Sequence, residues 1–231
     1  MNPHPALLKR PASLCQLAGV YCGNIGDPAG IWCEPKIDGV RACWIDGTLL
    51  SGREGATMHG VEHIAERLRR LERAAGRPMF FDGEYQVDGD YRATMRHMGH
   101  KARAQQEGSL WLFDAVPLDR WRADDDDRPL YARKAALTSW VAAVEREDGE
   151  GGLSWEWAAG THGRAARRDA VRLMPDEWLS EAAAVAARAT EVWAAGGEGL
   201  VLKDAEAPYR RNRSMAWQKV KREGWSTRTA A

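Results

Sequence analysis

The chain reads as an α+β domain built on antiparallel sheet, and three observations predict this. Short β-like apolar runs cluster around three amphipathic stretches without regular β-α alternation, which favours flanked antiparallel sheet over a Rossmann arrangement. Tight reversal signals, Asp38-Gly39 and Asp46-Gly47, sit between the first of these runs. The 231 residues are 44% hydrophobic, enough to bury the core of one large domain or of a medium domain with a small appendage. No repeat period is present.

Taken in order, residues 1–30 carry Pro3, Pro5, Pro11 and Pro28 with several glycines, and predict a loosely structured lead-in with one short helix around Leu14. Ile31 to Pro35 and Val40 to Ile45 are expected to pair as a hairpin through Asp38-Gly39, with a second reversal at Asp46-Gly47. Val61, Ile64, Leu68, Leu71 and Ala75 recur at helical spacing until Gly76 and Pro78 stop the helix. Strands follow at Met79 to Val87 and Ser109 to Ala115, then a helix over Tyr131 to Val144 whose inner face is Leu137, Val141 and Val144. Leu153 to Trp157 and Ala170 to Leu173 are short strand candidates. Trp178 to Ala195 reads as a helix ended by Gly196-Gly197, and strands at Gly199 to Lys203 and Met215 to Lys221 finish the domain.

Formal net charge is zero, so any nucleic-acid surface has to come from local segregation of charge. Such segregation exists between Lys203 and Arg228, where basic residues outnumber acidic ones eight to three. The block Asp124 to Asp127 reads as a solvated loop. Cys15, Cys22, Cys33 and Cys43 show no CxxC spacing, and no secretory leader precedes them, which points to reduced thiols in a cytoplasmic protein. No apolar stretch approaches the length of a membrane span, so no membrane partner is expected.

Five ordered motifs carry the chemistry: Glu34-Pro35-Lys36-Ile37-Asp38-Gly39-Val40-Arg41, Phe81-Asp82-Gly83-Glu84, Trp111-Leu112-Phe113-Asp114, Glu198-Gly199-Leu200-Val201-Leu202-Lys203 and Trp217-Gln218-Lys219-Val220-Lys221. Each has an ordinary reading alone: an exposed turn, a core ring, a solvated strand face. Their conjunction points elsewhere. A lysine that attacks a phosphorus must be neutral, so its site has to depress the usual pKa near 10.4, and neighbouring cations do this. Trp217, Lys219 and Lys221 share one face of a strand, so two ammonium groups reach one pocket. Glu84 and Glu198, at or just before strands, are placed to aim carboxylates at a ribose hydroxyl or a divalent cation.

On these motifs the chain resembles the adenylation domain of ATP-dependent DNA ligases, most closely the short bacteriophage type, over roughly Ile31 to Glu223. The resemblance implies an antiparallel-sheet covalent nucleotidyltransferase fold, with Lys36 as the residue that becomes AMP-linked. It implies Glu34 at the adenine, Arg41 near nucleotide and nick, and Arg53 of Ser51-Gly52-Arg53-Glu54-Gly55 at ribose and phosphate. Glu84 would hold the ribose and share a metal ion with Glu198, Phe113 would stack on adenine, and Lys219 and Lys221 would bind phosphate. Arg213 belongs to a basic loop before the final strand. Arg92, Arg96 and Lys101, with Arg213, are the expected grip on nucleic acid.

The implied reaction is lysine adenylation by ATP with Mg²⁺ or Mn²⁺, AMP transfer to a 5′-phosphate at a nick, and attack by the 3′-hydroxyl. Nicked duplex DNA is the implied partner, and a monomer the implied state. The implied domains are a lead-in at 1–30, the adenylation domain at 31–224 and a tail at 225–231. These ligases continue into an OB-fold domain, for which the ten residues after Lys221 leave no room. That departure implies a slow first step or an OB-fold partner in trans. The alternatives are an RNA ligase, a GTP-dependent capping guanylyltransferase, or a non-catalytic nucleotide- or nucleic-acid-binding remnant.

Overall fold

The computed structural model describes residues 13–23, 30–52, 55–99, 107–148, 170–223 and 225. The elements run β1 (Leu17–Val20), β2 (Ile31–Pro35), β3 (Val40–Ile45), β4 (Thr48–Ser51), β5 (Ala56–Thr57), α1 (Glu62–Ala75), β6 (Met79–Gln86) and α2 (Tyr91–Gly99). They continue with β7 (Ser109–Pro117), α3 (Leu118–Ala123), α4 (Leu130–Glu147), β8 (Val171–Leu173), β9 (Glu177–Leu179), α5 (Ala182–Ala194), β10 (Gly199–Lys203) and β11 (Arg213–Lys221). They form two sheets, one ordered β1-β11-β10-β2-β9 and the other β5-β4-β3-β6-β7-β8. Pairing is antiparallel apart from β1 on β11 and β7 on β8.

The alternation of each strand decides what its two faces meet. In the first sheet Cys33, Leu200, Leu202 and Val220 face α5, where Val185, Ala189 and Val192 complete an apolar cluster. In the second, Ala42, Trp44, Phe81 and Leu110 face Ile64, Leu68 and Leu71 of α1 and Leu137, Val141 and Val144 of α4. A third cluster fills the seam between the sheets, with Leu14, Cys15, Cys43, Phe80, Trp121, Tyr209 and Trp217. α1 ends as its sequence predicts: Gly76 takes the left-handed conformation at φ 70° and its N–H returns to the last turn.

Several expectations change. β2 and β3 do not pair: β2 sits against β10 and β9, and β3 against β4 and β6. Lys36 to Gly39 therefore crosses from one sheet to the other. Gly39 makes the crossing possible, because a Cβ there would meet the Tyr85 carbonyl oxygen at 2.4 Å. The reversal at Asp46-Gly47 does join paired strands, with φ 50° and 77°. The predicted helix around Leu14 is absent; Leu14 and Cys15 are buried in irregular chain that leads into β1. Trp178 lies in β9 and α5 starts at Ala182. A paired neighbour, Trp32, outweighs the alanine-rich helical pattern there.

The acidic block is not simply solvated. Asp124 accepts from the Arg211 N–H at 2.8 Å, and Asp126, 4% exposed, pairs with Arg128 at 2.6 Å. The strand candidate Leu153 to Trp157 lies outside the described residues. Among the described residues, no helix is long and apolar enough to cross a membrane.

Candidate active site

A cavity of about 320 Å³ opens in the seam, walled by β2, β10 and β11 on one side and by Arg41, Glu84 and Phe113 on the other. Its floor has three rungs set by strand register. Lys203 pairs with Trp217, Val201 with both Lys219 and Glu34, and Gly199 with Lys221. The Lys36 N–H donates to the Gly199 carbonyl at 2.8 Å, which carries the ladder one residue past Pro35 and puts Lys36 on the last rung. Gly199 is needed there: at φ 149°, a Cβ would stand 2.0 Å from the Val220 carbonyl oxygen.

On that last rung Lys36 Nζ donates to Glu198 Oε2 at 2.5 Å, and Lys221 Nζ holds Oε1 at 2.6 Å. Burial raises the Glu198 carboxyl, but the hydrogen bonds from Lys221 and Lys36 outweigh it and hold the group below its usual range. The same hydrogen bond to Glu198 pushes the Lys221 ammonium up. Burial and the nearby Glu198 raise Asp38. Glu84, opposite Arg41 in the β3–β6 ladder, is pushed up to about 7 by burial, with Arg41 and Lys36 offsetting part of the effect.

Phe113 reaches the cavity because of a bulge. Asp82 pairs with Asp114 and Gly83 with Leu112, so Phe113 is the extra residue of β7 and is turned out of the ladder. Its ring lies 5.8 Å from that of Trp217, edge on, with Lys203 Nζ 4.3 Å and the Arg41 guanidinium carbon 4.6 Å from its centroid. The neighbouring Asp114 turns the other way, into a fully buried pair with Arg133 at 2.8 Å.

Arg41 lines the cavity, yet its guanidinium is committed to Asp82 through two 2.6 Å hydrogen bonds. Asp82 also accepts from the Tyr209 hydroxyl at 2.6 Å. The circuit closes on Gln16, whose N–H donates to the Tyr209 hydroxyl at 3.0 Å and whose carbonyl accepts from Arg41 at 3.1 Å. Sequence reasoning gave Asp82 and Tyr209 no role. Tyr209 and Arg211, in the segment that leads into β11, are buried. Asp82 lies within reach of the Cys15 and Cys43 thiols, a trio of metal-capable groups, but its oxygens are already spent on Arg41 and Tyr209.

Glu34 is 2% exposed and carries an ion pair on each oxygen, Lys134 at 2.6 Å and Lys203 at 2.7 Å. Lys134 is held in turn by Asp176. Arg213 opens β11 at the cavity rim and donates to the Ala18 carbonyl at 2.5 Å. Arg92 and Arg96 are exposed on α2 and do not line the cavity. Arg53 and Lys101 lie outside the described residues. The structure thus gathers Lys36, Glu34, Arg41, Glu84, Phe113, Lys219 and Lys221 around one cavity, with Glu198 bridging two of its lysines. Lys203 also lines the cavity, and Lys134, Asp82 and Tyr209 back its wall; Lys203 and Asp82 fall within the sequence motifs, whereas only partner choice in the folded chain could have found Lys134 and Tyr209.

The ATP dependent DNA ligase domain model matches residues 24–221, and the chain belongs to that family. No curated protein matches it by sequence. Among solved structures it is similar to Pmar-Lig_PreS3, at 20% identity and TM-score 0.69 over 90% of this chain and 46% of that one. It is similar to the ATP-dependent DNA ligase of bacteriophage T7 in complex with ATP, at 17% identity and TM-score 0.67 over 92% of this chain and 69% of that one. It is also similar to the Chlorella virus DNA ligase-adenylate, at 19% identity and TM-score 0.63 over 90% of this chain and 66% of that one. At these identities the likeness shows the fold. The chain spans about half the length of the first of these structures.

Proposed function

We propose that the chain seals 5′-phosphate/3′-hydroxyl nicks in duplex DNA, taking AMP from ATP onto Lys36 and passing it to the DNA. The observation that supports this reading best is the last rung of the floor, where the Glu198 carboxylate meets Lys36 Nζ at 2.5 Å through one oxygen and Lys221 Nζ at 2.6 Å through the other. In the first step the Lys36 nitrogen forms a bond to the α-phosphorus while the bond to the β-phosphate oxygen breaks and pyrophosphate leaves. Lys221 anchors the other oxygen of Glu198, so the carboxylate stays in place while Lys36 turns to the phosphorus. Lys219 and Lys221 line the cavity where phosphate charge would gather. The 5′-phosphate then displaces Lys36 from the phosphorus, and attack by the 3′-hydroxyl releases AMP.

Glu198 and Glu84 suit a hard divalent cation such as Mg²⁺, which takes one or two carboxylates together with substrate phosphates. Burial holds the Glu84 carboxyl up near 7, and a cation beside it would favour the carboxylate. Once bound, such an ion supplies charge stabilisation to the phosphoryl oxygens. For the acceptor, α2 offers an exposed stripe of Tyr91, Arg92, Met95 and Arg96, two guanidinium groups suited to phosphate beside apolar surface.

The test is intact-protein mass after incubation with Mg²⁺ and either ATP or GTP, followed by nicked duplex DNA. An AMP adduct on the parent chain, absent in Lys36→Ala and lost as the nick closes, is the expected result. Glu198→Ala should slow adduct formation. A GMP adduct in place of AMP, or an AMP adduct on Lys36→Ala, overturns the reading.

A further inference from the structure

We propose that Trp193 and Trp225 are positioning residues for the last rung of the cavity floor: the Trp193 indole fixes the peptide that follows Glu198, and the Trp225 ring holds that indole in place. The inference rests on the reading of Lys36 as the residue that takes AMP, and deepens it by naming what keeps Glu198 aimed at that lysine.

The rung is weakest in its own backbone. The β10–β11 ladder reaches only as far as Gly199, paired with Lys221, so Glu198 stands one residue outside it. Glycines surround it. Gly196 and Gly197 join it to α5, and Gly199, at φ 149°, follows it in a conformation that side chains rarely adopt. Glycine meets that conformation at little steric cost, but its freedom would equally let the Glu198–Gly199 peptide turn and swing the carboxylate away from Lys36.

A side chain supplies the restraint. The Gly196 N–H donates to the Trp193 carbonyl at 3.2 Å and the Gly197 N–H to the Val192 carbonyl at 2.8 Å, which closes the turn onto α5. Trp193 Nε1 then donates to the Glu198 carbonyl at 3.3 Å. One residue on, the Gly199 carbonyl accepts from the Lys36 N–H at 2.8 Å. The indole bond therefore bears on both members of the Lys36–Glu198 pair, on Glu198 directly and on the Lys36 backbone through Gly199.

The indole is itself braced. After β11 the chain turns back, with the Trp225 N–H donating to the Arg222 carbonyl at 3.2 Å. This sets the Trp225 ring edge-on to Trp193, with centroids 5.5 Å apart and planes at 71°, and stacks it on Tyr21 at 5.8 Å and 13°. Tyr21 is tied to the final strand, since its N–H donates to the Lys219 carbonyl at 3.1 Å. All three rings pack with Leu200 and Val220 on the α5 side of the first sheet, whereas Lys219 and Lys221 line the cavity. Neither tryptophan lines the cavity, so each acts on the rung only through the Glu198 peptide. A misplacement of about 1 Å at a reacting centre can cost on the order of a hundredfold in rate, which makes such a restraint worth keeping.

The experiment measures single-turnover adduct formation on the full chain with Mg²⁺ over a range of ATP concentrations, and hydrogen exchange of the Lys36 amide by NMR without nucleotide. Trp193→Phe keeps a flat ring against Trp225 and removes the N–H donor. Its saturating rate should fall roughly fivefold, the worth of one neutral hydrogen bond, while half-saturation by ATP stays within about twofold of the parent. The Lys36 amide should exchange faster in this variant, with the amides of the β3–β6 ladder unchanged. Trp225→Leu should show a smaller loss of the same kind, and Trp225→Met takes its place if the leucine variant does not fold. Trp225→Phe, which still stacks on Tyr21, should recover the parent rate. Because Trp225 works through the indole bond, Trp193→Phe combined with Trp225→Leu should be no slower than Trp193→Phe alone. A residue that merely supports the fold would add its loss and raise exchange in both sheets.

A parent rate in Trp193→Phe, unchanged exchange at Lys36, or additive losses in the double variant overturns the inference. If the parent forms no adduct, the ligase reading fails, and amide exchange alone then decides whether the indole fixes the rung. If the adduct forms and Trp193→Phe matches the parent in both rate and exchange, the ligase reading stands and the brace is lost.

Discussion

Two buried charges, Asp82 and Lys203, give the seam different signatures. Asp82 has no exposed surface and receives Arg41 and Tyr209. Burial lowers the Arg41 guanidinium and raises the Tyr209 hydroxyl, and the Asp82 charge raises both, so each stays protonated well above its usual value. Asp82→Ala would strand a guanidinium in the seam, and by analogy with other broken buried pairs should cost about 3–5 kcal/mol. An unfolding free energy from urea titration that falls by less than a third of that would show that Arg41 finds water or another partner. Lys203 gives a pH signature with its own sign. Its folded pKa, about 8, lies below the unfolded value near 10.4, so between those two the unfolded chain holds the extra proton and stability rises with pH. The unfolding free energy of the parent relative to Lys203→Met should climb by up to about 3 kcal/mol from pH 8 to 10.5. A flat difference would mean that the ammonium is solvated.

At the scale of elements, legibility followed locality. α1 and β10 were predicted almost to the residue, because periodicity, a glycine stop and turn signals are all local. The β2–β3 hairpin failed, since a turn signal marks a reversal but not which strands hydrogen-bond across it. β9 was hidden inside a helical pattern for the same reason. The α2 stripe can be tested as an element: replacing Arg92 and Arg96 by alanine should reduce the slope of log affinity for nicked duplex against log salt by about 1 for each phosphate that is no longer neutralised. An unchanged slope would remove α2 from the DNA surface. Binding of ATP should be untouched, because neither arginine lines the cavity.

For the molecule as a whole, two sheets with separate apolar clusters meet along one seam, and the cavity lies in it. A ligand there contacts residues of both sheets, so binding should raise the unfolding temperature of the whole described domain. At a hundredfold excess over Kd the gain is about 2.7 kcal/mol, read as a single shifted transition on adding ATP to Lys36→Ala. Two transitions of which only one shifts would show that the sheets unfold independently.

The sequence by itself determined the class of fold, most elements, and the identity and order of the residues around the cavity, because motif chemistry and strand alternation are local and put Lys219 and Lys221 on one face whatever lies opposite. Only the tertiary structure decided that Lys36 stands at a crossing between sheets, that a bulge turns Phe113 into the cavity, that Arg41 is tied to Asp82, and that Glu34 is shared by Lys134 and Lys203. Each of these depends on which distant strand or helix a residue meets, and pairing energies between segments far apart in the chain leave no periodic trace in it.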